Sequence, residues 1–166
     1  MQNYVSLINR WDHKITRWMA KYCIPILRVS MGIVFFWFGF LKFFPGLSPA
    51  EGLAVETISK LSFGLIPPNV SIVILATWEC LIGLGFLSGK FLRATLFLLF
   101  LQMAGTVTPL FLFPQEAFIR LPYAPTLEGQ YIIKNLVLIS AGLVIGATLQ
   151  GSEALANPDI ALNTTE

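Results

Sequence analysis

Residues 24–44 have the sequence IPILRVSMGIVFFWFGFLKFF, which is long and apolar enough for one transmembrane helix. About 20 residues at about 1.5 Å per residue cross a hydrocarbon core of roughly 30 Å. Spacings of four and three place five residues on one side of this helix: Arg28, Gly32, Phe35, Gly39 and Lys42. Lipid contact does not require two glycines and a lysine in one line, so we expect this stripe to face protein or a polar cavity.

Three further stretches have the same apolar character, at residues 70–87, 91–113 and 131–149. Of the 166 residues, 55% are hydrophobic and only 12% are charged, which excludes an ordinary soluble domain. We therefore predict an all-α integral membrane protein with a four-helix bundle over residues 24–149. The net charge of +2 is too small for a nucleic-acid-binding surface, so we expect no nucleic acid partner.

The segment before the first span, residues 1–23, has the pattern of an amphipathic helix in the membrane interface. Its apolar stripe consists of Tyr4, Ile8, Trp11, Ile15, Trp18 and Tyr22. Its basic residues lie on another face and are Arg10, Lys14, Arg17 and Lys21. We expect them to anchor the helix to anionic lipid of the bilayer. The alternative, a solvated basic tail, leaves the aromatic stripe unexplained.

The connections between the spans contain helix start and stop signals. Residues 48–51, Ser-Pro-Ala-Glu, form a capping box for a short helix that runs to about Leu61. This helix is too polar to span, and we place it across the outer mouth of the bundle, as a lid or as packing. Pro109 predicts a kink in the third span, and Thr126 is the predicted N-cap of the last helix. The tail, residues 150–166, has little to bury and is expected to be disordered.

Basic residues predict the orientation in the membrane. Four spans place both termini and the turn between the second and third spans on one side. The opposite side has Lys60 and Arg120 outside the spans. The side of the termini has six basic residues: Arg10, Lys14, Arg17, Lys21, Lys90 and Arg93. The positive-inside rule therefore predicts that both termini are cytoplasmic.

Polar residues on different spans reach similar depths in the outer half of the bundle when about 1.5 Å is counted per residue. Seven of them form a candidate ligand-binding cluster: Lys42, Glu79, Gln102, Thr106, Glu128, Lys134 and Asn135. Glu79 is the strongest member, because a carboxylate in mid-span is costly unless it is paired, protonated or in water. The lysines can instead snorkel to lipid phosphate. Lys42 is balanced between the two positions, and for Lys134 we favour the interior.

Small residues predict where helices pack closely: Gly32, Gly39, Gly83, Gly142 and Gly146. Arg28 lies near the inner interface and is expected to be a further lipid anchor. Cys23 and Cys80 are far apart, and the single histidine, His13, precedes the first span. We therefore expect no metal site and no covalent cofactor.

Three blocks of the sequence resemble the DoxX family of membrane proteins. RVSMGIVFFWFGFLKF is similar to the family's first span, and WECLIGLGFL and EGQYIIKNLVLISAGL are similar to its second and fourth spans. The matched residues are Arg28, Gly39, Lys42, Glu79 and Lys134. The resemblance implies a compact four-helix bundle in the bacterial cytoplasmic (inner) membrane. The founding members are small subunits of a thiosulfate:quinone oxidoreductase, and relatives are linked to responses to oxidative stress.

From these observations we expect an accessory or small subunit of a membrane redox system that binds a lipophilic ligand such as a quinone. In this scheme Lys42 or Lys134 donates a hydrogen bond to a quinone oxygen, and Glu79 accepts or donates a proton. The chain has no redox motif of its own, so catalysis by this chain stays open, as does a homo-oligomer, and a soluble or membrane redox partner is implied. Two other functions remain: a small transporter or channel for protons or a small solute, and a scaffold that holds a soluble partner through the N-terminal segment.

Overall fold

The computed structural model describes residues 2–48 and 51–156. Its elements are α1 (Gln2–Leu41), α2 (Glu51–Leu61), α3 (Pro68–Ser88), α4 (Leu92–Val107), α5 (Pro109–Leu112), α6 (Pro114–Ala117), β1 (Phe118–Arg120), β2 (Ala124–Pro125) and α7 (Leu127–Ala156). Four helical stretches are long and apolar enough to cross a membrane: Trp11–Leu41, Pro68–Ser88, Leu92–Leu112 and Leu127–Leu149. The predicted all-α integral membrane bundle is confirmed.

α1 is one continuous helix, whereas the sequence predicts a separate segment over residues 1–23. Pro25 lies inside the helix and does not end it. A proline removes one backbone donor, but the residues on either side keep their helical hydrogen bonds. The amphipathic segment and the first span therefore form a single continuous helix.

The first part of α1 extends beyond the packed bundle. Its apolar residues Trp11, Ile15 and Trp18 are each more than half exposed. Lys14 Nζ lies 5.6 Å from the Trp11 ring centroid, a cation–π distance. The side chains before residue 11, Arg10 included, lie outside the described part of the chain. A position in the membrane interface stays a prediction for this segment.

α1 and α3 are antiparallel neighbours. They pack closely because glycines at their contact have no side chain. A Cβ at Gly32 would lie 2.7 Å from Leu87 Cγ, and a Cβ at Gly83 would lie 2.7 Å from Phe36 Cβ. Both distances are too short for a real side chain, so the two backbones approach each other as only glycine allows. Gly39 makes a third contact of this kind, with Glu79.

α4 lies between α3 and α7 and is antiparallel to both. Trp78 Nε1 on α3 donates to the Leu98 carbonyl oxygen on α4 at 3.1 Å. On the other side, a Cβ at Gly142 would lie 2.7 Å from Leu99 Cδ2. The described ends of α1 and α7 therefore share one end of the bundle, the termini end. The opposite end, where α1 ends and α7 begins, is called the loop end below.

The half of the bundle next to the termini end is filled by a continuous apolar core. Its buried residues are Met31, Phe35, Ile82, Phe86, Leu96, Leu99, Met103, Ala141 and Ile145. Four of them are essentially inaccessible: Ile82, Phe86, Leu99 and Ile145. The buried polar side chains described below lie in the middle of the bundle and toward the loop end.

Short elements cover the loop end. α2 has the bounds Glu51–Leu61, in agreement with the predicted end at Leu61, while residues 49 and 50 of the predicted capping box lie outside the described chain. α2 packs on α3 and α5, and Lys60 Nζ lies 4.4 Å from the Phe113 ring centroid. A lid function for α2 stays a prediction.

The third span is interrupted at its loop end, where the sequence predicts a kink. α4 ends at Val107 and α5 begins at Pro109, which has no backbone donor. Thr108 Oγ1 donates to the Ala104 carbonyl oxygen at 3.0 Å, and Thr108 N donates to the Gly105 carbonyl oxygen. In a regular helix the Gly105 carbonyl would accept from the backbone N–H of residue 109, which proline lacks. Thr108 therefore supplies the donors for the Ala104 and Gly105 carbonyl groups.

α7 begins with the predicted cap and ends later than predicted. Thr126 Oγ1 accepts a hydrogen bond from Gly129 N at 3.1 Å, as an N-cap residue does. At the other end, α7 continues to Ala156, so the tail predicted to be disordered from residue 150 is helical at its start. Ala and Leu near this end are strong helix formers, which outweigh the glycine at 151. Residues 157–166 lie outside the described chain.

Candidate functional site

Glu79, near the middle of α3, accepts hydrogen bonds from two other parts of the bundle. Lys42 Nζ lies 2.6 Å from Glu79 Oε2, and Gln102 Nε2 lies 2.8 Å from Glu79 Oε1. The Lys42 and Glu79 side chains are each 11% exposed. Both carboxylate oxygens have a donor and the ammonium balances the charge, which offsets the cost of a carboxylate at this depth.

Lys42 reaches this carboxylate because its side chain extends back along α1. It directly follows the last residue of α1, and its Nζ also lies 3.4 Å from the Phe38 carbonyl oxygen, one turn earlier. Helical side chains lean toward the N-terminus, which for α1 means away from the loop end and into the bundle. Gly39 completes the geometry, since a Cβ there would lie 2.7 Å from Glu79 Cβ.

Gln102 holds Glu79 from the opposite side and is itself 8% exposed. Its Nε2 must face the carboxylate, because the amide oxygen in that position would meet another acceptor. This orientation leaves Gln102 Oε1 buried without a hydrogen-bond partner. An unpaired buried acceptor is costly, and protein atoms enclose this oxygen on all sides.

A cavity of about 140 Å³, the Glu79 cavity, lies beside this network. Its lining residues are Val34, Phe35, Phe38, Glu79, Gln102, Met103, Thr106, Asn135 and Leu138. Val34 and Phe38 are also exposed on the outside of the bundle. The wall that α1 supplies to the cavity is therefore partly exposed on the outside of the bundle.

Five of the seven predicted cluster residues come together here. Lys42, Glu79 and Gln102 form the hydrogen-bonded network, and Thr106 and Asn135 line the cavity. Thr106 Oγ1 donates to the carbonyl oxygen of Met103 in its own helix at 3.0 Å. A hydroxyl oxygen that donates in this way keeps lone pairs that can accept a further hydrogen bond.

Lys134 and Glu128 are not among the residues that line the cavity, and a part in ligand binding stays a prediction for both. Lys134 is exposed, and its Nζ lies 5.6 Å from the ring centroid of Tyr131. Helical side chains lean toward the N-terminus of their helix. Because α7 begins at the loop end, the Lys134 side chain extends toward the loop end and away from the middle of the bundle. Glu128 is half-buried in the first turn of α7, where the helix dipole stabilises a carboxylate.

The predicted lipid anchors remain near the termini end. The guanidinium of Arg28 packs against Gly89 in the turn after α3, where a Cβ would collide with it, and Arg28 Nε is buried without a partner. A positive charge at the C-terminal end of α3 is favourable for the helix dipole. Lipid binding stays a prediction for Arg28 and for three exposed basic residues of α1: Lys14, Arg17 and Lys21.

Apart from Phe35, which lies on the stripe predicted to face protein or a polar cavity, the apolar walls of the cavity were not identified from the sequence. Val34, Phe38, Met103 and Leu138 are ordinary residues of transmembrane helices, and nothing in their type marks them. Their spacing carries the only available signal, because Val34 and Phe38 are one turn apart and Leu138 follows Asn135 by three residues. That signal is useful only once the inward side of each helix is known.

The side chains of the cavity offer a ligand amide, hydroxyl and carboxylate groups, which bind by hydrogen bonds and hold or move a proton. Within residues 2–48 and 51–156, no three His, Cys, Asp or Glu side chains are placed to hold a metal ion. Cys23 and Cys80 are free thiols.

A family model described as DoxX matches residues 23–114, more than half of the chain. The match includes Lys42, Glu79 and Gln102 and ends before α7, which supplies Asn135 and Leu138. No curated protein and no solved structure matches the chain.

Proposed function

The chain belongs to the DoxX family of membrane proteins, and on this premise we propose that it is an accessory subunit of a membrane redox system whose Glu79 cavity binds the ring of a lipophilic ligand such as a quinone. The founding members of the family are small subunits of a thiosulfate:quinone oxidoreductase, which supports the redox part of the proposal. In this proposal the chain binds the ligand, and a partner subunit carries the electrons.

The observation that carries this proposal is the size of the cavity, together with the exposed part of its wall. Its volume of about 140 Å³ is close to the roughly 150 Å³ that accommodates one benzene ring. We infer that the exposed part of the wall, at Val34 and Phe38, faces the hydrocarbon core, so the isoprenoid tail of a quinone can stay in the lipid while the ring enters.

The walls of the cavity combine apolar and polar surfaces as ligand sites do. Phe35, Phe38 and Leu138 offer faces for a ring, while Glu79 and Gln102 offer polar atoms. These polar atoms are held in place before a ligand arrives, because Glu79 already accepts two hydrogen bonds. Preorganised polar groups reduce the ordering cost of binding.

Transport through a single bundle is less well supported. A proton or solute would have to pass from the cavity to the termini end through the packed region around Ile82, Phe86 and Leu99. Protein interiors of this kind are close-packed and exclude water. We therefore favour a binding site that communicates with the lipid.

The proposed location is the bacterial inner membrane with both termini in the cytoplasm. This orientation follows from the basic residues of α1 and of the turn between α3 and α4. It places the Glu79 cavity between the middle of the membrane and its outer face. A redox partner in the same membrane, or bound to the loop end, could exchange the ligand through the lipid.

The test is to purify the protein in mild detergent from bacterial membranes and to quantify co-extracted quinone by mass spectrometry. Leu138→Trp fills the cavity, and Val137→Trp is its matched control, because Val137 is 70% exposed and faces away from it. We expect quinone with the wild type and with Val137→Trp and a loss of most of it with Leu138→Trp. Equal amounts in all three proteins, or none in the wild type, would refute the proposal.

A further inference from the structure

We propose that the tip of the β1–β2 hairpin, residues 119–123, inserts into the lipid headgroup region at the loop end of the bundle and anchors the connection between the third and fourth spans. The tip has the sequence Ile-Arg-Leu-Pro-Tyr. None of these five residues lines the Glu79 cavity. The inference therefore does not depend on the proposed function.

The base of the hairpin is fixed at the start of the fourth span. Thr126 N donates to the Ala117 carbonyl oxygen at 2.9 Å, and Thr126 Oγ1 donates to the Glu116 carbonyl oxygen at 2.6 Å. Ala117 itself is fully buried. A three-residue strand at about 3.3 Å per residue places the tip at most about 10 Å from this base. The headgroup region on each side of a bilayer is roughly 5–8 Å thick, so the tip is within reach of the headgroups.

The side chains of the tip are exposed although most of them are apolar. Ile119 is 74% exposed, Leu121 is 61% exposed and Tyr123 is 71% exposed. Exposed apolar side chains that cluster in this way mark a contact with a membrane or with another protein. Arg120 is the only charged residue between Glu116 and Glu128. A guanidinium among apolar side chains suits lipid, because its stem can lie in the apolar layer while its N–H groups bond to phosphate.

Exposed apolar residues also flank the hairpin on both sides in the sequence. Phe111, near the end of the third span, is 78% exposed, and Leu127 and Tyr131, at the start of the fourth span, are exposed as well. The outward sides of these spans contact lipid, and tyrosine is enriched where the membrane meets water. The tip therefore extends a surface that already lies against the bilayer.

Lipid fits this surface better than a protein partner does. A specific protein interface takes about 20–30 residues on each side, whereas the tip offers five. Insertion into the membrane interface needs no complementary shape, and each apolar side chain that leaves water contributes separately. A few large apolar residues beside one cation are sufficient for lipid and too few for a partner.

The test measures the surroundings of single spin labels by electron paramagnetic resonance, with the full chain in vesicles of phosphatidylethanolamine and phosphatidylglycerol. The native thiols are removed by Cys23→Ser and Cys80→Ser, and a nitroxide is attached at Leu121→Cys or at Tyr123→Cys. Oxygen concentrates in lipid and a nickel chelate stays in water, so the ratio of their collision rates with the label reports depth. Val137→Cys, at a position 70% exposed within the fourth span, gives the value for hydrocarbon, and free label in buffer gives the value for water.

We expect the ratio at positions 121 and 123 to lie above the value for water and below the value at position 137. A ratio equal to that of water would overturn the inference. A label that neither reagent reaches would also overturn it, because a second copy of the chain or another protein would then cover the tip.

A second measurement needs no substitution and decides the question if the cysteine-free protein does not fold. Hydroxyl-radical footprinting of the wild type in the same vesicles compares the oxidation of Tyr123 with that of free tyrosine in the same solution. We expect Tyr123 to lose most of its reactivity, although it is 71% exposed to solvent in the isolated chain. Oxidation at the rate of free tyrosine would contradict insertion.

Discussion

Replacing Lys42 by Met removes the ammonium partner of Glu79 and tests how much the buried ion pair contributes to stability. The pair has an N–O distance of 2.6 Å and side chains that are each 11% exposed. Removal of one member of a buried pair costs about 3–5 kcal/mol. A carboxyl left alone can take up a proton, so we expect the lower value, about 3 kcal/mol, or about a hundredfold in the folding equilibrium.

Glu79→Gln should cost less, about 1 kcal/mol, although it breaks the same ion pair. Lys42 lies just past the end of α1 and can turn toward the loop end when its partner is gone, whereas Glu79 in mid-helix has no such escape. The double variant should also cost about 1 kcal/mol, since no charge is then left unpaired in the interior.

Reversible unfolding in mixed micelles of dodecyl maltoside and sodium dodecyl sulfate, followed by far-UV circular dichroism, measures these differences. Lys134→Met is the matched control, because Lys134 is exposed on α7, and we expect it to change stability by less than about 0.5 kcal/mol. The reasoning is refuted if Lys42→Met is no less stable than Lys134→Met, or if Glu79→Gln costs as much as Lys42→Met.

Three further predictions concern a glycine contact between helices, a helix cap and a hydrogen bond between helices. Gly83→Ala should destabilise the protein by about 1–3 kcal/mol in the same micelle assay, because its Cβ has no room against α1, whereas Gly105→Ala, with open space around it, should stabilise by up to about 1 kcal/mol. Thr126→Val should cost about 1 kcal/mol and speed amide hydrogen exchange at Gly129, which loses its cap; unchanged exchange would contradict the capping role. Trp78→Phe removes the indole donor to α4 and should cost about 0.6 kcal/mol, and a neutral result would mean that this bond adds nothing to association of the helices.

The transmembrane helices could be predicted because hydropathy is a local property. Each apolar stretch is recognisable from its own residues, and all four coincide with helices of the bundle. The cap at Thr126 and the end of α2 at Leu61 are local signals as well. α7 continues past the predicted fourth span to Ala156, since composition alone does not separate a polar helix terminus from a coil.

Depth along each helix was enough to bring Glu79 and Gln102 together, since both lie near the middle of neighbouring helices. Depth was not enough for the lysines. Lys42 and Lys134 both lie toward the loop end, yet one turns inward and the other outward. The difference arises from helix direction, because a helical side chain leans toward the N-terminus and α1 and α7 run in opposite directions.

By itself the sequence determined the class of protein, its four transmembrane helices and the polar residues available in mid-membrane, because these depend on the residue types and their order. Only the tertiary structure decided the rotation of each helix about its axis, and with it the pairing of Lys42 with Glu79 and the walls of the cavity. That rotation results from close contacts between helices distant in sequence, such as Gly83 against Phe36. The unpaired oxygen of Gln102 follows from the same contacts, because its amide nitrogen is already bonded to a carboxylate that another helix supplies.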